Sequence, residues 1–364
     1  MVQNALKELC LEIISSCSMQ CIHCSNDNTL QKRLEFYEIK SIISDFSDLG
    51  GKILEISGGE PLEHTDILKI IRYAKTKGLE VRLYTSGLVS RDGEFGSITN
   101  KLSNDLKESY LDKIIFNIEG SKSTTHELIT RQKGSYNKAI ESISTVISSG
   151  LWAGIHFVPT KLNFREIGQA IEISNTLGVS EFAILRFVPQ GRGLINREKL
   201  ELSHQECEEL FYALNKIKQQ SRIRIGHPFN CFISDSESSE CIAGKSLCLI
   251  RPNGDVVPCP AFKQNVDHVA GSIKDNSLID IWFNSGILQK FRTFKYENIT
   301  GCRKCLLLPK CQGGCTAQRI LTWGDFSRGN DPLCLRSSSE SLSNYCTFKH
   351  CTKVLCPSNT AVQE

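Results

Sequence analysis

The chain has 364 residues, a formal net charge of +3 and 23% charged residues. This length suffices for two domains, and the near-neutral charge excludes a strongly basic nucleic-acid or membrane-surface binder. No apolar run approaches the roughly 18 consecutive residues of a membrane span, and the first residues lack a signal-peptide core. Cysteine is abundant, with 17 residues. Because these are clustered rather than evenly spaced, they indicate metal sites in a reducing cytoplasm rather than a disulfide scaffold.

The first part of the chain alternates short apolar runs with segments of helical periodicity. The helical segments carry apolar residues three and four positions apart, as in Ile67, Ile70, Ile71 and Ala74. The predicted strands are 11–16, 53–57, 80–85, 113–118, 154–159 and 181–187. The predicted helices are 35–49, 66–77, 98–109, 136–149, 164–177 and 204–219. This alternation predicts an α/β fold with a parallel sheet, and functional residues are then expected at the carboxyl ends of its strands.

A cysteine-rich segment follows the first predicted strand. Cys17, Cys21 and Cys24 have the spacing C-x3-C-x2-C. Three closely spaced thiolates favour an iron–sulfur cluster, and three protein ligands leave one iron of a four-iron cluster open. A zinc site, or cysteines that are merely buried, is the alternative, although zinc sites more often pair two C-x2-C motifs or add histidines.

Polar residues and glycines follow the other predicted strands. Gly-Gly-Glu-Pro at positions 58–61 comes directly after the second strand, where two glycines would let the backbone approach a ligand closely. Each of these features alone is explained by a helix cap or a turn. Together they predict one binding site at the edge of the sheet. The residues are Gly58, Gly59, Glu60, Ser86, Asn117, Thr160 and Arg186.

The region after residue 225 is rich in cysteine. Asn253-Gly254 is a turn signal between two apolar segments and predicts a β-hairpin over 247–257. A zinc-ribbon-like module is one interpretation, but the number of cysteines exceeds what a single zinc site uses. The cysteines in question are Cys241, Cys259, Cys302, Cys305, Cys311, Cys315 and Cys334.

The first cysteine motif followed by Gly-Gly-Glu-Pro resembles the radical S-adenosylmethionine (SAM) enzymes. The similarity extends over 8–225 and includes His126-Glu127, 134–136 and the run 185–193. The resemblance implies a partial, TIM-like barrel of six βα units in residues 1–225, with SAM bound to the open iron of a four-iron cluster. By the same resemblance, Cys17, Cys21 and Cys24 hold that cluster, and SAM is contacted by Gly58, Gly59, Glu60, Ser86, Asn117, Thr160 and Arg186.

The later cysteines resemble the SPASM extension of that family, expected here over 226–340 with two auxiliary four-iron clusters. The resemblance implies that one cluster is held by Cys302, Cys305, Cys311 and Cys334, and the other by Cys241, Cys259 and Cys315. The eighth ligand is Cys231 or, as a rival, Cys248; if neither serves, the second cluster has an open iron. The remaining residues, 341–364, form a tail with Cys346, Cys351 and Cys356, for which a flexible tail with idle thiols is favoured over a further metal site.

Members with both halves modify peptides or proteins, or act on small molecules. Sulfatase-maturing members carry an aspartate after the cysteine that corresponds to Cys259, whereas this chain has Pro260. This difference counts against a sulfatase-type maturase. The sequence therefore favours an enzyme that modifies a ribosomally made peptide by crosslinking, epimerisation or backbone excision. A radical SAM enzyme of small molecules, such as a sugar, nucleotide or cofactor precursor, is the alternative, and a non-catalytic iron–sulfur electron carrier is a further one.

Substrate delivery is expected to need a second protein. The first motif begins at Cys17, which leaves no room before it for a leader-binding domain. A disordered leader usually binds by adding a strand to a sheet edge, and the predicted hairpin over 247–257 is expected to be occupied by cluster packing. A separate leader-binding partner is therefore expected, together with an electron donor such as flavodoxin or ferredoxin, and neither nucleic acid nor membrane is expected as a partner.

Overall fold

The structure is a computed structural model that describes residues 5–26, 32–91, 94–217, 222–226 and 240–334. Its strands are β1 (Glu8–Ile14), β2 (Ile53–Gly58), β3 (Glu80–Thr85), β4 (Leu88–Arg91), β5 (Glu94–Ser97), β6 (Lys113–Asn117), β7 (Ala153–Phe157), β8 (Glu181–Ile184), β9 (Ile223–Ile225), β10 (Leu247–Ile250), β11 (Asp255–Val257) and β12 (Gly271–Ser272). Its helices are α1 (Phe36–Asp48), α2 (Ile67–Thr76), α3 (Asn100–Glu108), α4 (Ser123–Thr130), α5 (Ser135–Ser148), α6 (Ile167–Leu177), α7 (Gly191–Ile195), α8 (Arg197–Leu200), α9 (His204–Ile217), α10 (Leu278–Asn284), α11 (Gly286–Thr293), α12 (Leu308–Cys311) and α13 (Thr316–Trp323).

Ten strands form one sheet in the order β12-β11-β10-β1-β2-β3-β6-β7-β8-β9. The neighbours from β10 through β1 to β9 are parallel, and β11 and β12 add antiparallel strands at one side. The two end strands are not paired with each other, so the barrel is open. The predicted α/β fold with six strand–helix units is confirmed.

The outer face of the sheet packs against the helices and forms the main core. Leu9 and Leu11 of β1 are fully buried, as are Ile39 and Ile43 of α1. Burying an aliphatic side chain of this size stabilises the fold by roughly 1.5–3 kcal/mol. This two-layer packing holds the strand ends, and therefore the residues that follow them, in fixed positions.

The inner face of the sheet is polar. Cys10, Glu55 and Arg82 lie opposite one another on β1, β2 and β3 and therefore share this face. Glu55 accepts hydrogen bonds from the Cys10 thiol (2.9 Å) and from the Tyr84 hydroxyl (2.6 Å). Because these groups bond to one another, the interior of the barrel is held by polar contacts below the strand ends.

The structure contains elements that the sequence patterns did not predict. The hairpin of β4 and β5 and the helix α4 were not predicted, because both lie in short polar segments between stronger apolar patterns. The predicted 247–257 hairpin forms, but the expectation that it is a sheet edge is wrong. Its strand β10 pairs with β1, with Leu9 opposite Cys248, and β11 pairs with β12. The hairpin thus lies inside the sheet and joins the two halves of the chain.

Among the described residues, no helix is both long and apolar enough to cross a lipid bilayer. The predicted tail 341–364, with Cys346, Cys351 and Cys356, lies outside the described residues, as does Cys231.

Candidate active site

The segment that carries the first cysteine motif follows β1 and is fixed by two helices. The Ile22 amide donates to the carbonyl of Ile129 in α4 (2.9 Å). Arg192 of α7 donates from Nε to the Cys21 carbonyl (2.9 Å), and the Gly193 amide donates to the Cys24 carbonyl (3.0 Å). These bonds hold the backbone of the motif segment on both sides.

The three thiols of this motif lie close together. The pKa of the Cys21 thiol is raised well above its usual range, chiefly by desolvation and then by the neighbouring Cys24 and Cys17 sulfurs. Burial raises the pKa of the Cys17 thiol to about 12, with smaller contributions from Glu60 and Cys24. Backbone amides of Met19 and Asn26 donate to the Cys17 and Cys24 sulfurs (3.4 Å each). Such thiols need a strongly charged metal group to become thiolates, and amide donors to sulfur are typical of iron–sulfur ligands, so the residues fit a cluster.

The wider geometry argues against a single metal ion. In the described part of the chain, no three His, Cys, Asp or Glu side chains converge tightly enough to hold one ion. A zinc ion requires four ligands about 2.0–2.3 Å from one centre, whereas each cysteine of a four-iron cluster binds a different iron and the sulfurs stand farther apart. The described residues therefore present no preformed site for a single zinc ion.

The two glycines after β2 allow the chain to pass against the motif segment. A Cβ atom on Gly58 would lie 2.2 Å from the Ile14 carbonyl oxygen, and one on Gly59 would lie 1.9 Å from the Ser16 oxygen. Gly58 also has a φ of 141°. Only glycine tolerates both conditions. The pair thus sets the distance between the end of β2 and the cysteine motif.

Glu60 is a buried carboxyl group that joins the ends of β2 and β3. Its Oε1 accepts from Thr85 Oγ1 (2.6 Å) and the Leu62 amide (3.2 Å), and its Oε2 accepts from the amide (2.9 Å) and hydroxyl (2.6 Å) of Ser86. Burial raises the pKa of Glu60 to about 7, although these hydrogen bonds oppose the shift. Glu60 and Ser86 therefore lie together, as expected of neighbouring strand ends.

The later strand ends place their predicted residues differently. Asn117 is exposed at the end of β6. Thr160 is fully buried and donates from its amide (2.6 Å) and hydroxyl (3.0 Å) to Asn163 Oδ1. Arg186 is buried and forms a 2.7 Å ion pair with Asp331, 145 residues later in the chain. Asn117 is thus accessible to a ligand, Thr160 is engaged within its own loop, and Arg186 bonds to the C-terminal region.

The structure adds a polar group that sequence reasoning missed. His23, between the last two motif cysteines, lies 3.2 Å from the buried carboxylate of Glu119, which follows β6. The Glu119 amide in turn donates to Nδ1 of the buried His126 (3.1 Å). The available signal was a carboxylate two residues after Asn117, at the same strand end as a predicted site residue. The group borders the cysteine motif and is therefore part of the candidate site.

His126 makes a pH-dependent contribution to stability. Burial lowers the pKa of His126 to about 4, below its ordinary value of 6.5, and its Nδ1 already accepts a hydrogen bond, so the ring is neutral in the folded state. The unfolded state binds the extra proton, and stability present above about pH 6.5 is lost as the pH falls towards 4. Between about pH 7.5 and 5.5 we expect His126 to account for about 1.4 kcal/mol of lost unfolding free energy.

Urea denaturation at both pH values tests this prediction. The variant His126→Asn keeps a hydrogen-bond acceptor but does not titrate, so it should lose about 1.4 kcal/mol less than the parent chain on acidification. His204→Asn, at a half-exposed helix position, is the matched control. Equal acid sensitivity of the parent chain and His126→Asn would show that His126 is protonated in the folded state.

The later cysteines fall into two groups. Burial raises the pKa of the Cys259 thiol, and the nearby Cys315 and Cys241 sulfurs add to the shift. Burial likewise raises the pKa of the Cys302 thiol, and there the contributing cysteines are Cys334 and Cys305. Burial raises the pKa of the Cys315 and Cys302 thiols to about 11. Cys311 is the last residue of α12. The two groups are consistent with the predicted ligand sets, and the ligand assignment itself stays a prediction.

Cys248 is placed away from both groups. It lies opposite Leu9 in the sheet and belongs to the main core beneath the helices. Its neighbour Leu249 instead faces Cys10 and packs with Cys241, Cys259 and Cys315. Because successive residues of a strand point to opposite faces, Cys248 is not positioned as the eighth ligand. Cys231, the other candidate, is outside the described residues.

A loop after Cys259 contacts the first cysteine motif directly. Lys263 forms an ion pair with the buried Glu12 of β1 and donates to Ser25 Oγ (3.0 Å). Gln264 Nε2 donates to the Ser25 carbonyl (3.0 Å). Gln190 bridges the same loop to the barrel, because it donates to the Pro260 carbonyl and accepts from the Gln264 amide (3.0 Å each). The two cysteine regions are thus joined beside the barrel mouth.

Comparison with known protein families agrees with this arrangement. Residues 11–173 match the radical SAM superfamily, and residues 241–306 match SPASM, an iron–sulfur cluster-binding domain. The first match contains the cysteine motif and the glycine pair, and it runs from within β1 to within α6. The second contains Cys241, Cys259, Cys302 and Cys305.

Similar curated proteins include both synthases and maturases. The chain is 24% identical to the AdoMet-dependent heme synthase of Methanosarcina barkeri, over 91% of this chain and 97% of that protein. It is 25% identical to the mycofactocin maturase MftC of Mycobacterium tuberculosis, over 91% and 84% respectively. It is also 24% identical to the PqqA peptide cyclase of Methylocella silvestris, over 90% and 86%.

Solved structures share the fold at lower identity. Streptococcus suis SuiB bound to the precursor peptide SuiA superposes with a TM-score of 0.73, at 18% identity over 91% of this chain and 76% of that one. Native anSMEcpe with bound AdoMet gives 0.69, at 16% identity over 93% and 96%. The predicted partial barrel with a Cys-rich extension is therefore confirmed.

The cofactors follow from the two matched domains and the thiol geometry. The barrel domain binds SAM and a four-iron cluster, and the C-terminal domain binds auxiliary iron–sulfur clusters. The chain is thus an enzyme with a radical SAM domain and a C-terminal SPASM domain.

Proposed function

We propose that this enzyme modifies a ribosomally made peptide by an oxidative radical reaction. A four-iron cluster held by Cys17, Cys21 and Cys24 would, together with bound SAM, supply the one-electron chemistry that generates a radical able to take a hydrogen atom from the substrate. The protein must then orient the substrate carbon, exclude water from the barrel mouth and remove the electron that remains. Of the predicted residues, Glu60, Ser86 and Asn117 are proposed to position SAM.

The observation that carries the oxidative character is the contact between the two cysteine regions. Lys263 and Gln264, a few residues after the proposed cluster ligand Cys259, bond to Ser25, which directly follows Cys24. A substrate radical that forms a crosslink or a double bond must lose one electron. Auxiliary clusters held by the C-terminal cysteines would offer an acceptor for it beside the mouth, which supports a redox modification over a simple exchange of hydrogen.

The peptide substrate is supported by relatives. The similar proteins include a PqqA peptide cyclase and a mycofactocin maturase, and a structural neighbour was solved with its precursor peptide. A sulfatase-type maturase is less well supported, because Pro260 begins a short turn at the position where that group carries a catalytic aspartate. Crosslinking and backbone excision of the peptide are the candidate outcomes, and epimerisation, which leaves the oxidation state unchanged, is disfavoured.

A small-molecule substrate is the second candidate, favoured by similarity to AdoMet-dependent heme synthases over nine tenths of the chain. The two candidates predict different products. We expect the reconstituted enzyme, with dithionite or a flavodoxin or ferredoxin system, to form 5′-deoxyadenosine and to change the mass of a short peptide encoded beside its gene. Conversion of a tetrapyrrole precursor of heme, with no change in any such peptide, would replace the proposal by the second candidate.

We also propose that a separate small protein delivers the leader of the peptide. The end strands of the described sheet, β9 and β12, are three and two residues long. Strand addition needs a longer free edge to offset the entropy of ordering a leader. Titration of the peptide with and without small proteins encoded nearby tests this inference. Tight binding and full turnover by this chain alone would rule the partner out.

Iron content tests the proposed ligand sets. Three four-iron clusters require on the order of 12 irons per chain after anaerobic reconstitution. We expect Cys248→Ala to keep this content, because Cys248 faces the helical core. We expect Cys302→Ala to lose up to about four irons. A content near four irons accompanied by zinc would show that the C-terminal region is a zinc module.

A further inference from the structure

Arg319 of α13 is a fully buried arginine with 0% exposure. Its Nη1 donates to the Phe326 carbonyl (2.6 Å), whereas Nε and Nη2 have no hydrogen-bond partner among the described residues. Burying a guanidinium without acceptors costs several kcal/mol, so such groups are normally found beside an anion. The side chain therefore faces a site whose acceptor is not part of the polypeptide described.

The surroundings of Arg319 identify that site. After burial, the groups that most affect the Arg319 pKa are Cys302, which belongs to one proposed ligand set, and Asp331. Cys241 and Cys315, which belong to the other set, follow. Asp331 is already occupied, since its carboxylate accepts from Arg186, from the Cys315 amide and from the Leu333 amide. The remaining negative groups near the free N–H donors are thus cysteine sulfurs from both sets.

We propose that Arg319 donates its free N–H groups to sulfur atoms of the auxiliary clusters and thereby raises their reduction potential. The proposal rests on the proposed ligand sets. Reduction adds one negative charge to a cluster, and a fixed positive charge that bonds to its sulfurs stabilises the reduced form. In this position Arg319 makes the auxiliary clusters better acceptors of the electron left on the substrate. It is a positioning residue, which acts through the clusters and does not touch the substrate.

Redox titration followed by electron paramagnetic resonance measures the effect. The background is the chain with Cys17, Cys21 and Cys24 replaced by alanine, in which the auxiliary clusters alone are observed. We expect Arg319→Gln to disfavour reduction of at least one auxiliary cluster about tenfold, which corresponds to about 59 mV for one electron. Arg319→Lys keeps the charge but not the planar fork, so its shift should be smaller.

Arg292→Gln is the matched control. Arg292 is half-buried, and its Nη1 and Nη2 are buried atoms without a partner among the described residues. It stacks 4.2 Å over the Trp282 ring, closer than the 5.7 Å between Arg319 and the Phe294 ring, and Cys248 is the cysteine whose charge affects its pKa. Its removal should leave the potentials unchanged. Equal shifts in Arg292→Gln and Arg319→Gln, or no shift in a fully iron-loaded Arg319→Gln protein, would overturn the proposal.

A second measurement avoids dependence on variants that fail to assemble. Pulsed paramagnetic resonance of protein labelled with [15N]arginine should show a 15N coupling to a reduced auxiliary cluster. We expect the coupling to persist in Arg292→Gln and to disappear in Arg319→Lys, and its absence from the unsubstituted background overturns the proposal. Metal analysis of the background protein comes before any potential is measured. If that protein binds zinc or almost no iron, the proposed ligand sets are wrong.

Discussion

Replacing Cys17, Cys21 and Cys24 together by alanine is expected to abolish 5′-deoxyadenosine formation while the C-terminal region keeps its iron. The three thiols lie together after β1, and their segment is bonded to α4 and α7. No other described cysteine lies in this segment, so no replacement ligand is available. We expect the iron content to fall from about 12 to about eight per chain, with activity below detection.

The control for this variant is Cys207→Ala. Cys207 is 1% exposed on α9 and lies outside the proposed ligand sets. Losing its sulfur should lower stability by about 1 kcal/mol without changing iron content or 5′-deoxyadenosine yield. Undiminished 5′-deoxyadenosine production by the triple variant would show that SAM is cleaved elsewhere in the chain.

The features that sequence reasoning predicted correctly are those specified by local spacing. Three cysteines within one short segment, and the glycine pair after the second strand, are recognisable without knowing which strands are neighbours. The structure gives the physical reason for the pair, since a side chain on Gly58 or Gly59 would overlap the backbone that leads to Cys17. Similarly, helices such as α1 and α2 follow from apolar residues at helical spacing.

The features that could not be predicted depend on contacts between distant parts of the chain. Parallel pairing of β10 with β1 places Cys248 opposite Leu9, and no local sequence pattern specifies which strand will be the neighbour. The pairing also determines which face of the sheet Cys248 occupies. Cys248 therefore lies on the opposite face from Cys241 and cannot bind the same cluster. The ion pair of Arg186 likewise becomes visible only when the C-terminal region is folded against the barrel.

The second large effect is expected from the ion pair between Arg186 and Asp331. Both side chains are buried, and Asp331 also accepts from the Cys315 amide (2.7 Å), so the pair joins the end of β8 to a proposed cluster ligand. Removing one partner leaves an uncompensated buried charge. We therefore expect Arg186→Met and Asp331→Leu each to lower the unfolding free energy by about 3–5 kcal/mol.

The double variant distinguishes this structural role from the predicted contact of Arg186 with the SAM carboxylate. If the pair acts as a unit, Arg186→Met combined with Asp331→Leu should cost less than the two single changes added together, because no unpaired charge remains. SAM affinity, measured by equilibrium dialysis on iron-loaded protein, should then be alike in both single variants. If Arg186 instead binds the SAM carboxylate, Arg186→Met should weaken SAM binding by about tenfold or more, or about 1.4 kcal/mol, while Asp331→Leu leaves binding unchanged.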